Sequence, residues 1–167
     1  MKKRLHFPLF FVVALLLSSC WGNPNDDDLP PTQNYEPVSM TRTEFESAVK
    51  ALAPKEIVKS GKIYIKDNLM FINDVNKGFH VYNYSNPQNP IKISFIQIPG
   101  ATDLALRNNI IYINQAVDLV TLEYNPTGNL INITKRIKEV FPQKISPDGF
   151  STENVANKIV IDWIPKN

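Results

Sequence analysis

The sequence predicts an all-β chain of antiparallel meanders, and three observations carry that expectation. From Ser60 onward, apolar residues recur with period two in runs rich in β-branched and aromatic residues. Turn-forming residues separate these runs at short intervals. The whole pattern then returns about forty residues later.

The N-terminus precedes this pattern and differs from it. Met1-Lys2-Lys3-Arg4 gives a positive start, and Leu5 to Leu17 follow as an apolar stretch interrupted only by His6 and Pro8. A charged start and a short apolar run form a secretory signal, expected as a helix over residues 1–19 and too short to span a bilayer. Leu17-Ser18-Ser19-Cys20 follows directly and contains the single cysteine of the chain. These residues resemble the lipobox of bacterial lipoproteins, in which the thiol receives a diacylglyceryl group and the new α-amine is acylated after cleavage. The resemblance makes Cys20 the lipid attachment site and the membrane a partner through that covalent lipid; no other cofactor is expected. A thiol suits the chemistry because thiolate is the strongest side-chain nucleophile near neutral pH. Each buried methylene contributes about 0.8 kcal/mol to partition, so several acyl chains on one residue hold firmly. No second cysteine is left for a disulfide.

Removing Lys2, Lys3 and Arg4 from the 18 basic residues leaves 15 against 16 acidic ones, so a net charge of +2 becomes −1. That balance argues against nucleic acid as a partner. Residues 20–38 are poor in apolar side chains and rich in proline, as a flexible tether is. Within them, Asp26, Asp27 and Asp28 resemble the surface-export signal of Bacteroidetes lipoproteins. This implies an outer-membrane lipoprotein with its domain at the cell surface. A solvated linker explains the same three residues, and a periplasm-facing domain stays open as the alternative.

Residues 39–54 are expected to hold one short amphipathic helix. Thr41-Arg42-Thr43-Glu44 has the capping-box pattern, and Phe45, Ala48, Val49 and Leu52 would form one apolar stripe. Ala53-Pro54 ends it, because the residue before proline is pushed out of the helical region.

Residues 55–167 form the β-repeat domain. Strands are expected at KIYI (62–65), LMFIN (69–73), FHVYNY (79–84) and IKISFIQI (91–98). Turns at Asp67-Asn68, Asn76-Lys77-Gly78 and 85–90 join them as one meander. IKDNLMFIN (65–73) then aligns with LRNNIIYIN (106–114), and GFHVYNYSNP (78–87) with DLVTLEYNPT (118–127), at offsets of 41 and 40 residues. Four strands per forty residues, with two faces that only neighbours can cover, describe a propeller-like blade. A β-sandwich spaces its strands similarly and is the alternative. About two blades fit here, whereas a closed propeller needs four or more. The run 141–156 reads as a long loop, and NKIVIDWIP (157–165) as a last strand.

GFHVYNYSNPQNP (78–90) resembles the LVIVD repeat of secreted bacterial proteins, with Val81, Asn83, Ser85, Asn86 and Pro87 fitting the pattern and Asn83 replacing the usual aspartate. In the second unit Glu123 takes the corresponding place and Asn125-Pro126 the turn. From Tyr35 to Trp163 the order of motifs looks like the N-terminal part of Bacteroidetes LVIVD-repeat lipoproteins. Those relatives look longer, with further blades.

Chemistry is sparse. His80 is the one histidine after the signal and is expected to be an ordinary, partly exposed strand residue, so no histidine metal cluster or nucleophilic triad can be assembled. The carboxylates Asp67, Asp74, Asp103, Asp118, Glu123, Asp148 and Asp162 show no spacing that forces a pair into one pocket. Asp103 and Asp118 are expected to begin strands and cap backbone amides. Asp74 to Gly78 starts like a calcium loop but lacks the later ligands. Six glycines offer no phosphate loop. Lys135, Arg136 and Lys138 read as a solvated basic face, with Ile131, Ile133 and Ile137 turned inward. The aromatic residues Tyr82, Tyr84, Tyr112, Tyr124 and Trp163 remain as binding candidates, although packing between blades uses the same residue types. The resulting expectation is a non-enzymatic interaction module for an envelope protein or an extracellular macromolecule. The alternative is a structural subunit that completes its sheet stack against another envelope protein.

Overall fold

A computed structural model describes residues 32–151 and 158–167. The expected signal at 1–19, Cys20, the run Asp26 to Asp28 and tether residues 20–31 lie outside the described residues. The chain order is β1 (Tyr35–Thr41), α1 (Arg42–Ser47), β2 (Lys50–Leu52), β3 (Ser60–Lys66), β4 (Leu69–Asp74) and β5 (Gly78–Asn83). It continues with β6 (Ile91–Gln97), β7 (Ala101–Arg107), β8 (Ile110–Gln115), β9 (Asp118–Asn125), β10 (Leu130–Ile137) and β11 (Lys158–Pro165). The fold is all-β and antiparallel, in three open sheets ordered β2-β6-β5-β4-β3, β10-β9-β8-β7 and β1-β11.

The capping box forms as the sequence predicts: Thr41 N–H donates to Glu44 Oε2 at 2.9 Å, and Glu44 N–H to Thr41 Oγ1 at 3.3 Å. The expected helix over 39–54 is nevertheless much shorter. It stops at Ser47, and Lys50–Leu52 pair with β6 instead. The apolar stripe is divided between two clusters, because Phe45 packs with Ala116, Val117 and Ile159 while Val49 joins the main core. Tertiary pairing overrides a helix too short to be stable alone. The expected tether also ends earlier than residue 38, since Tyr35–Thr41 is a strand paired with β11.

Both four-stranded meanders stand where the repeat places them, and their irregularities repeat too. β3 slips against β4 between Ser60 and Ile63, and β7 slips against β8 between Ala101 and Leu104, 41 residues on. The unpaired Ile93 of β6 recurs as Thr134 of β10. Asp67 (φ 51°) and Asn108 (φ 52°) make equivalent left-handed turns, which short polar side chains tolerate.

The meanders meet through non-equivalent faces. Strand alternation puts Tyr64, Phe71, Phe79, Val81 and Ile96 on one face of the first meander. That face packs on Leu104, Ile111, Ile113, Val120 and Leu122 of the second. These five correspond by the 41- and 40-residue offsets to Ile63, Met70, Ile72, His80 and Tyr82, on the opposite face of the first meander. Such head-to-tail stacking is how successive blades pack; a two-fold sandwich would join equivalent faces.

The link between the meanders is sewn into both by backbone hydrogen bonds. Asn76 N–H donates to Ala101 O at 3.0 Å, Gly100 N–H to Asn76 O at 2.8 Å and Ala116 N–H to Gly100 O at 3.2 Å. Beside this link, Gly78 has φ +144°, and a Cβ there would stand 2.0 Å from the Ile96 carbonyl oxygen. Gly78→Ala is therefore expected to cost about 3 kcal/mol in denaturant unfolding of the full chain. Gly128→Ala, facing only the Leu130 side chain, should cost less than about 1 kcal/mol.

Candidate binding cleft

One end of the stack is closed by polar anchors and the other is open. At the closed end, Asp118 opens β9 with its side chain fully buried, and Arg42 Nη1 and Arg136 Nη1 bond its Oδ2 at 2.6 and 2.8 Å. Glu139 N–H donates to its Oδ1 at 3.1 Å. Burial alone would raise the Asp118 carboxyl, but the two guanidiniums hold it below the usual carboxylate range. The amide-capping role expected for Asp118 is thus present, alongside a pair of arginines that tie α1 and β10 to β9. Asp103 sits inside β7 rather than at its start; it accepts from the Leu104 amide at 2.9 Å and also takes Lys62 and Tyr64 of β3 as partners. Burial pushes the Tyr64 hydroxyl up to about 12.

Two further expectations are corrected here. Arg136 faces inward, whereas Ile133 and Ile137 are 40% and 42% exposed. The extra Thr134 reverses alternation along β10, putting Arg136 opposite Val120 on the core face and Ile137 on the outer one. His80 is not partly exposed but wholly buried, against Phe95, with Nε2–H donating to Asp74 Oδ2 at 3.2 Å. Burial holds the imidazole below its ordinary value, so it is neutral, and its Nδ1 has no partner among the described residues. Burial would raise Asp74, but the amides of Lys59 and Val58 at 2.9 and 3.2 Å, together with His80, lower it. Among the described residues no group of three His, Cys, Asp or Glu side chains could hold a metal ion.

At the open end, a cleft of about 650 Å³ lies between the meanders. The β3–β4 turn brings Lys66 and Asp67, and the equivalent β7–β8 turn brings Asn108 and Asn109. Asn125 and Asn132 flank the β9–β10 hairpin on the far side. The floor is apolar, made by Leu69, Phe71, Leu106, Ile111 and Ile131 with the Tyr124 ring. Lys66 and Asp67 pair with each other at 2.8 Å, while Glu123, also in the lining, accepts from Asn132 Nδ2 at 3.5 Å and has no ion-pair partner among the described residues. Burial raises the Tyr124 hydroxyl, which lies 3.5 Å from Asn129 Oδ1. An apolar floor with an amide rim offers stacking surface together with paired donors and acceptors.

The five aromatic candidates do not converge. Tyr124 lines the cleft; Tyr82 and Tyr112 lie on the two outer sheet faces; Tyr84 follows β5; and Trp163 on β11 donates its indole N–H to Lys144 O at 3.1 Å. All five are half-buried rather than core residues. Of the floor, the sequence reading singled out Tyr124 alone as a binding candidate, and it did not join the turns at Asp67 and Asn108 into one site. The signal that could have found them is the repeat itself, because stacked repeats bring the IKDN and LRNN turns side by side.

The buried polar groups set the pH response. The unfolded chain binds a proton at an imidazole near 6.5 before folded His80 does, so stability should fall as pH drops below that value. Asp74 and Asp118 stabilise above their unfolded values, and that contribution is lost at lower pH still, as pH falls through their depressed folded values. Urea midpoints measured from about pH 8 to about pH 3 should show both stages, with His80→Gln removing the upper one. Asp118→Ala, leaving two guanidiniums without their carboxylate, is expected to cost about 3–5 kcal/mol at neutral pH.

Comparison with family models, with curated proteins and with solved structures gave no match to this chain.

Proposed function

We propose that the chain is an envelope lipoprotein whose blade-like repeats form a non-enzymatic binding module, with the inter-meander cleft as its ligand site. The observation that carries this reading is the cleft: an apolar floor of about 650 Å³ rimmed by side chains from three turns on a rigid sheet scaffold. Support for binding rather than catalysis comes from His80, sealed in the sheet interior with its hydrogen bond to Asp74. Anchoring through a lipid on Cys20, export guided by Asp26 to Asp28 and kinship with LVIVD-repeat lipoproteins rest on the sequence motifs and belong to the same proposal. A second reading, a subunit that completes its stack against another protein, draws on the uncovered sheet faces instead.

Glycan and peptide arrays probed with the full chain test the cleft. Ligands retained by the unaltered chain should bind at least about tenfold more weakly to Asn109→Trp, which crowds the rim, and to Tyr124→Ala, which removes part of the floor. A ligand held equally by all three would place recognition outside the cleft, and silence on both arrays would remove the binding reading for these two classes. Metabolic labelling with a fatty-acid analogue, retained by the native chain and lost in Cys20→Ser, tests the anchor.

A further inference from the structure

Among the described residues the head-to-tail stacking leaves two faces without a partner sheet, and they are the two halves of an interface the chain already makes. Within the chain, the Tyr64 and Phe71 face of the first meander covers the Leu104 and Leu106 face of the second. The counterpart of the covering face is the outer face of the second meander, with Ala105, Ile110, Tyr112 and Ile137 at the matching positions. The counterpart of the covered face is the outer face of the first meander, where Ile63 and Ile65 are 59% and 53% exposed. We propose that a second copy of this chain covers these faces, the Tyr112 face of one copy packing on the Ile63–Ile65 strip of the next.

Three features favour a second copy as the occupant. The contact continues an established one, since each uncovered face is related by the repeat to a face that is already packed. The charges also match. Lys62 and Asp103 pair across the internal interface and occupy equivalent positions 41 residues apart. In the next interface their places are exchanged, so Asp103 of one copy again meets a lysine, Lys62 of the second. Both side chains have room for it, at 65% and 45% exposure. The third feature is where the face is free. Residues 53–59 already cover its outer half: Lys55 Nζ lies 3.7 Å from the Phe95 ring, and the Val58 and Lys59 amides bind Asp74. The half beside β3 stays open, which is the half that corresponds to Leu104 and Leu106. Because the interface is heterologous, the same surfaces propagate the contact, and the rotation between meanders decides whether a ring closes.

The proposal is independent of the cleft and is tested in the full chain. Inside one chain the Tyr64 hydroxyl lies 3.4 Å from Leu104 N, and the counterparts of that pair are Ala105 and Ile63, both exposed. Ile63→Cys and Ala105→Cys chains, tagged differently and co-expressed, are treated after purification in detergent with a short bismaleimide. The expected product is a mixed cross-linked dimer, absent from the unaltered chain with its native Cys20 and from each variant expressed alone. Adding Tyr112→Arg to the Ala105→Cys chain should reduce its yield at least about tenfold while leaving the thermal melt in place. Cross-linking of Ile63→Cys with itself would show like faces meeting and overturn the proposal. So would the absence of mixed product from a chain whose protein mass by light scattering is that of one copy.

Discussion

A four-stranded meander with alternating apolar residues has two sides that water disfavours, and a single neighbour covers only one of them. That constraint organises the molecule. The first meander places Phe71, Phe79 and Val81 against Leu104, Ile113 and Val120 of the second. Burying each such side chain contributes about 1.5–3 kcal/mol, so this layer is the main source of cohesion. Because the second meander repeats the first, the layer joins unlike faces and leaves a face of each kind uncovered. Residues 53–59 lie over half of one of them, with Lys55 on the Phe95 ring, and this shields part of the surface that stacking leaves open.

The two ends of the stack are held by different physics. At the closed end, directional polar bonds stand beside a small apolar cluster. Asp118 gathers Arg42 and Arg136, Gln115 Nε2 donates to Phe45 O at 3.0 Å, and Gly100 and Asn76 exchange backbone bonds with the flanking turns. These bonds place α1 and the β1-β11 pair, whose Phe45 and Ile159 complete a second small core around Ala116 and Val117. A buried carboxylate between two guanidiniums is costly to form but demands one geometry, which suits the junction of α1, β9 and β10. At the open end Asn129 of the β9–β10 hairpin bonds Leu52 O and Ser94 Oγ of the first sheet, but among the described residues no hydrogen bond joins the β3–β4 and β7–β8 turns. The apolar layer therefore reaches the surface there as the floor of the cleft. Rigidity at one end and access at the other follow from the same stack.

His80 and Asp74 illustrate how the repeat was specialised. Their counterparts by the 40- and 41-residue offsets are Val120 and Gln115. In the second meander that position meets apolar core; in the first it meets residues 53–59, whose amides need an acceptor. Asp74 supplies it, and His80 bonds the carboxylate from the neighbouring strand. The polar pair stands at the face where the internal stack ends.

Much of this architecture was readable from residue pattern. Period-two runs, the turns at Asp67 and Asn76, the Thr41–Glu44 capping box and the repeat at 41 and 40 residues each report a local preference, and local preferences are written in adjacent residues. The helix length was not readable, because Lys50 to Leu52 are drawn into β2 by pairing with Phe95 to Gln97 of β6, far along the chain. Nor was the inward turn of Arg136, which depends on one bulge at Thr134, nor the burial of His80, which depends on a covering loop. The sequence by itself determined an all-β repeat and the strands and turns inside it, though not β1 or β2. Only the tertiary structure decided which faces meet, which charges are buried and where the cleft opens, because each depends on contacts between residues far apart in the chain.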